Sequence, residues 1–195
     1  TRRRTLTIGG PSFEVLRPRV IVADPPWKFG DPLPGKGRGA AKNYAVMTVE
    51  DICACLPTFH VEPAENAALF LWRVSSMQRE ALDVVEAWGF KLKSEIVWEK
   101  LTSGGLAHFG MGRFVRASHE TCLIAERGRC KPAVRNVRSR FAAKTPTAKG
   151  GVIHSAKPPE FFDIVRSMYP EGLRVELFAR PCHDGFTCIG KEARP

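Results

Sequence analysis

An aspartate, two prolines and a tryptophan stand in a row at Asp24-Pro25-Pro26-Trp27. They follow the apolar run Val20-Ile21-Val22-Ala23, which reads as a buried strand. A carboxylate at the end of such a strand is a fixed hydrogen-bond acceptor. Proline fixes φ and removes a backbone donor, so the two prolines leave rigid carbonyls free to accept. The indole adds a flat apolar plate. Together these groups can hold an aromatic amine and make its nitrogen nucleophilic. The competing reading is a strand, a Pro-Pro turn and a core tryptophan.

Charge is the second chemical signal. The chain has 195 residues and a formal net charge of +10. Residues 113–149 carry ten basic and two acidic side chains, and no acid falls between Arg127 and Lys149. Solvated faces usually mix signs, whereas a one-sign block points to a polyanion. Arg135, Arg138 and Arg140 in this block are candidates for phosphate contacts. A second basic stretch, residues 30–43, is rich in Gly and Pro and directly follows the acceptor cluster. It reads as a flexible lid or substrate clamp in which Lys36 and Arg38 would meet the substrate. Residues 139–151 have a similar composition and are expected to be a second mobile loop.

These residues need a frame. Apolar runs at 20–23, 67–72, 94–98, 121–125 and 173–178 read as strands. Helical patterns alternate with them. One spans 48–55, with Thr48 and Asp51 spaced as a capping box. One starts near Ser75 or Ser76 and runs to Trp88, with Leu82, Val85 and Trp88 inward and Gly89 as the stop. One runs from Pro159 to Met168. The alternation predicts a single α/β domain with a doubly wound, mostly parallel sheet and helices on both faces. Ligands of such sheets bind beyond the carboxyl ends of the strands, where Asp24, Trp72, Trp98 and Arg180 fall. No apolar run reaches the ~18–20 residues of a membrane span, and no leader peptide is recognisable. Six cysteines lack Cys-x-x-Cys spacing, so reduced thiols and a cytoplasmic location are expected. No metal site is expected.

The motifs in order resemble the MT-A-seventy family of adenine-N6 methyltransferases. The tetrad leads to Tyr44-x-x-Met47, Leu71-Trp72, Ala87-Trp88-Gly89-Phe90 and Trp98-Glu99-Lys100. Then come Gly110-x-Gly112, Arg116, His119-Glu120 and Arg127-Gly128. His154-Ser155-x-Lys157-Pro158, Glu176-Leu177-Phe178-x-Arg180 and Gly190-x-Glu192 complete the series. The likeness covers about residues 19–192.

The resemblance implies a Rossmann-like methyltransferase using S-adenosyl-L-methionine on adenine in nucleic acid. Asp24, Pro25, Pro26 and Trp27 would be catalytic. Asp24 and the Pro25 carbonyl would accept the amine N–H groups, while Trp27 would stack on the base or wall its pocket. Lys157 would pair with the cofactor carboxylate. Phe178, Arg180, His183, Lys191 and Glu192 would serve the rest of the cofactor, Arg180 and the 190–192 segment reaching the ribose. The chain departs from the family pattern at Lys191, where asparagine is common, and at His183, where a small amide can occur. Backbone in residues 5–16 would meet the cofactor adenine. Tyr44 and Arg116 would line the target-base side, with Glu120 in support. DNA is the favoured substrate. RNA is an alternative, and so is a non-catalytic nucleic-acid-binding partner subunit. A homodimer or an accessory subunit stays open.

Overall fold

The computed structural model describes residues 14–28, 46–110, 112, 114–148, 151–152 and 156–190. Its centre is a seven-stranded sheet in the order β5-β3-β4-β2-β1-β8-β9. The strands are β1 (Val20–Ala23), β2 (Ala67–Arg73), β3 (Lys91–Leu101), β4 (His119–Arg127), β5 (Arg140–Lys144), β8 (Arg174–Leu177) and β9 (Thr187–Ile189). Two short strands, β6 (Thr147–Ala148) and β7 (Gly151–Val152), pair separately. The helices are α1 (Val49–Cys53), α2 (Cys55–Thr58), α3 (Gln78–Ala87) and α4 (Pro159–Met168). Strand β4 runs antiparallel to both of its neighbours, and the other pairings in the sheet are parallel. The sheet is therefore mixed but mostly parallel, consistent with the expected Rossmann-like fold.

Side chains alternate across a strand, and both faces here are covered. Ile21, Ala23, Leu69 and Leu71 enter one core with Ile52 of α1 and Val84 and Val85 of α3. Val20, Val22, Ala68, Phe70 and Trp72 enter the other with Phe161, Phe162 and Val165 of α4. Strand β1 is buried along its whole length, which explains its unbroken apolar run. It ends at Ala23, one residue before Asp24 and the two prolines, which cannot donate to a ladder.

The capping box on α1 forms as expected: the Thr48 hydroxyl accepts from the Asp51 N–H, and the Asp51 carboxylate accepts from the Thr48 N–H. Helix α3 starts later than expected, at Gln78. Ser75 and Ser76 lie in a turn closed by the Met77 N–H on the Val74 carbonyl. The region 139–151 is not simply a loop. Residues 140–144 add to β3 in parallel as β5, and the Trp98 Nε1–H donates to the Ala143 carbonyl. Strand β9 at the opposite edge, three residues long, leaves no recognisable apolar run in the sequence.

Gly128 has a structural reason. Its φ is +63°, and a Cβ there would stand 2.3 Å from the Glu65 carbonyl oxygen. Next to it, the Arg129 N–H donates to the Asn66 side chain at 2.6 Å. Gly128→Ala should therefore cost at least ~1 kcal/mol of stability, since both the backbone region and the space exclude a methyl. Urea denaturation measures this, and an unchanged midpoint would contradict it.

Candidate active site

Strand β1 lies between β2 and β8, and its carboxyl end opens a crevice between them. Asp24 sits at that opening. Lys157 reaches it from the lead-in to α4, with its Nζ 2.5 Å from Asp24 Oδ2. The same ammonium lies 3.3 Å from Glu120 Oε2 and 5.2 Å from the Trp72 ring centroid. Glu120, on β4, is also held by Lys100 of β3 at 2.5 Å. These groups line a cavity of about 250 Å³, together with Pro25, Pro26, Trp27 and Arg180.

The Pro-Pro turn is tied more tightly than its sequence suggested. The Pro26 carbonyl accepts from the Met47 N–H at 2.8 Å, and the Pro25 carbonyl accepts from the Trp27 N–H at 2.9 Å. The carbonyls are rigid, as expected, but they are not bare. The second lone pair of Pro25 is the one that can serve a ligand. Trp27 is 4% exposed and belongs to the core. Its Nε1–H donates to the Trp72 carbonyl at 3.1 Å, so the ring forms the cavity wall. Trp88 and Trp98 are core residues. The Trp72 indole nitrogen is buried and has no hydrogen-bond partner among the described residues.

Electrostatics divide the two carboxylates. Asp24 is 24% exposed, and burial pushes its proton affinity up. Lys157 opposes this, while the neighbouring Glu120 charge adds to it. Burial also works against ionised Glu120, but Lys157 and Lys100 outweigh it and hold its pKa below the ordinary 4.5. Burial disfavours the Lys157 charge too. Asp24 and Glu120 overcome that and raise its pKa above 10.5. The pH dependence follows from the signs. Glu120 adds stability above its unfolded value of 4.5, and this is lost as pH falls through its lower folded value. Asp24 acts oppositely, since its folded form holds the proton more tightly. Lys157 adds stability below 10.5 that is lost as pH climbs through its higher folded value. Glu120→Gln should therefore flatten the acid limb of stability below pH 4.5. Denaturant midpoints across acid pH test this, and an unaltered limb would refute it.

Past β8 the chain turns at Phe178, whose φ is +60° and whose ring packs edge-on against Phe59. Arg180 lines the cavity. His183 is engaged elsewhere. Its Nδ1 lies 2.9 Å from Glu176 Oε2, and its ring stacks on Phe162. Glu176, at the buried end of β8, was not singled out on its own. Burial raises its pKa, and the bond to His183 draws it back. Lys100 was likewise overlooked, although it closes the Trp98-Glu99-Lys100 motif. Residues Lys36, Arg38, Tyr44, Lys191 and Glu192, and the segment 5–13, lie outside the described residues.

The basic block does not converge on the cavity. Arg135 and Arg138 line a separate cavity of about 410 Å³ formed by the start of β3, the end of β4 and the end of α4. Arg140 opens β5 and pairs with Glu99 at 3.0 Å. Arg116 is exposed on the loop before β4, above the Phe109 ring. The expectation that all six thiols are reduced needs correction. Cys182 and Cys188 form a disulfide, while Cys53, Cys55, Cys122 and Cys130 are free. The loop between β8 and β9 folds back on itself and brings their Cα atoms to 5.7 Å, a closure that spacing alone does not reveal. No helix among the described residues is long and apolar enough to cross a membrane.

The MT-A70 family model matches residues 18–192. The chain belongs to the MT-A70 family. This is a family of N6-adenine methyltransferases that use S-adenosylmethionine. The chain is similar to the type II methyltransferase M.MunI of Mycoplasma, at 24% identity over 93% of this chain and 80% of that protein. It is 28% identical to a Medicago truncatula protein named as a putative N(6)-adenosine-methyltransferase MT-A70-like, over 89% of this chain and 26% of that one. It is 26% identical to the human N(6)-adenosine-methyltransferase catalytic subunit METTL3, over 83% of this chain and 25% of that one. It thus spans about a quarter of the N6-adenosine enzymes and most of M.MunI. The donor set suits the MT-A70 cofactor. A buried ammonium can meet its carboxylate, and carboxylate and indole walls can face its cationic sulfur.

Proposed function

We propose that the chain transfers a methyl group from S-adenosyl-L-methionine to the N6 amine of adenine in DNA. The observation that carries this reading is the convergence of Asp24, the Pro25 carbonyl and Lys157 on one cavity, although Lys157 lies far away in sequence. The type II relative matched over most of its length favours the compact DNA reading. The N6-adenosine relatives favour RNA as the alternative.

The bound cofactor supplies an activated methyl group on a sulfonium. The protein prepares the acceptor. An exocyclic amine is a poor nucleophile because its lone pair is delocalised into the ring. Asp24 and the Pro25 carbonyl accept its two N–H groups and draw the nitrogen toward sp³ geometry. Trp27 and Trp72 wall the base and keep water out. Lys157 would pair with the cofactor carboxylate, and Arg180, on the cavity wall, would reach the rest of the cofactor. Alignment and fixed charges supply the rate. The raised proton affinity of Asp24 suits it to hold the amine proton as the N–C bond forms. Glu120 and Lys100 keep the Lys157 charge in place. Tyr44 and Arg116 serve the target base, and Lys36 and Arg38 belong to the clamp. A homodimer or an accessory subunit remains compatible with this scheme.

Tritiated-methyl transfer onto matched DNA and RNA pools, followed by nucleoside analysis, tests the reading. Label in N6-methyldeoxyadenosine is expected. Label only in the ribonucleoside would select the RNA reading. Calorimetric titration with the cofactor tests the non-catalytic alternative, which predicts no binding heat.

The arginine block is assigned to phosphates. Replacing Arg135, Arg138 and Arg140 with glutamine should weaken binding alike across sequences. It should also flatten log affinity against log salt by about one unit per lost duplex contact. Cofactor affinity should hold. Equal salt slopes in variant and parent would remove these residues from the interface.

A further inference from the structure

Between β3 and β4 the chain leaves the sheet at the cavity end and returns within residues 102–118. The described part of this loop is built rather than slack. The His108 N–H donates to the Lys100 carbonyl, the Lys100 N–H to the Ser118 carbonyl, and the Gly110 N–H to the Ala117 carbonyl. A Cβ on Gly110 would stand 2.2 Å from the Ala117 oxygen, and one on Gly112 would stand 1.9 Å from the Val115 oxygen. At Gly110 and Gly112 the backbone of residues 115–117 comes too close to admit a Cβ.

The tip is apolar. Among the described residues six large hydrophobic side chains are exposed, and four of them, Leu106, Phe109, Phe114 and Val115, lie on this loop. Phe114 is 93% exposed and Phe109 is 78% exposed. Exposed apolar side chains concentrated on one loop mark a binding element. Its setting is basic. The Arg116 guanidinium lies 5.2 Å from the Phe109 ring centroid, and the chain carries +10. The base of the loop, at Lys100, Ala117 and His119, forms part of the cavity wall that holds Asp24.

We propose that this loop is a nucleic-acid wedge, with Phe114 entering the base stack of a duplex beside the adenine that rotates toward Asp24. The inference rests on the proposed adenine methylation and deepens it. An amine stacked inside a duplex cannot enter the cavity that holds Asp24, so the base must leave the stack. The gap it leaves is filled most readily by an apolar side chain on a loop rooted in the cavity wall. An aromatic ring stacks on any base, and the basic chain attracts the flanking phosphates.

The test measures tritiated-methyl transfer onto sheared, unmethylated DNA, native and heat-denatured, by the full-length parent and by Phe114→Ser and Phe114→Leu. For Phe114→Ser, the native-DNA rate should fall about tenfold while the denatured-DNA rate stays within about twofold, because only the native strand must be unstacked. Leucine, itself a known wedge side chain, should restore most of the native rate. Equal losses on both DNA forms, or no loss, would overturn the proposal. So would a change in oligomeric size on gel filtration, which would make the tip an interface between copies. A parent active on denatured but not native DNA would overturn the wedge and leave adenine methylation standing. A parent active on neither DNA nor RNA would overturn both. If RNA is the substrate, the same comparison on duplex and melted RNA decides.

Discussion

Asp24→Ala should abolish methyl transfer and leave the protein folded. The carboxylate stands at the mouth of the crevice beyond β1, partly exposed, and burial already disfavours its charge. Removing it relieves that cost, and Lys157 keeps Glu120 as a partner. The loss is chemical: one positioned acceptor, with its capacity to hold a proton, accounts for ~10²–10⁴ in rate. Asp24→Asn should do nearly as much harm, because its amide can turn a donor toward an amine that also donates. Single-turnover transfer with saturating cofactor reads the effect. A rate within about tenfold of the parent, or ~1.4 kcal/mol, would strip Asp24 of its role.

Lys157→Ala should damage the protein twice. The Lys157 side chain is 6% exposed, and its ammonium separates two carboxylates. Without it, Asp24 loses its ion partner and faces a Glu120 held by Lys100 alone, and removing one partner from a buried ion cluster costs on the order of 3 kcal/mol. Cofactor affinity should also fall, since a charge-assisted contact is worth roughly 1.5–3 kcal/mol. The two effects can be separated. Adding Asp24→Asn to Lys157→Ala removes the repulsion and should recover stability in urea, but not cofactor binding by calorimetry. If the double variant regained cofactor affinity, Lys157 would be a structural cation only. If nucleic-acid affinity fell instead, Lys157 would belong to the other ligand.

Much of the site was legible in the chain because it obeys local rules. A four-residue apolar run that ends in an acid and two prolines has few conformations open to it, and Asp24 lies at the strand end as that pattern requires. The Thr48-Asp51 spacing announced a helix start, and Pro159 announced another. Strands alternating with helices announced a doubly wound sheet. Order and spacing of the motifs, from Asp24 to Gly190, were enough to indicate the family.

What the chain alone could not show is whatever depends on pairing between distant segments. The antiparallel insertion of β4 and the edge strand β5 are choices of partner, and the basic stretch Arg140–Lys144 becomes a strand because β3 offers it an edge. The Cys182–Cys188 bond exists because a loop folds back between β8 and β9. The hydrogen bonds on the Pro25 and Pro26 carbonyls depend on where Met47 lies. Most of all, the division of labour between Asp24 and Glu120 is a tertiary property. Both are carboxylates, and residue type says nothing of which one is held ionised. Lys157 and Lys100 together settle that for Glu120, while burial pushes Asp24 the other way. Charge interactions reach across space and strengthen as water is excluded, so their balance is set only when the folded chain brings these four side chains together at the end of one sheet.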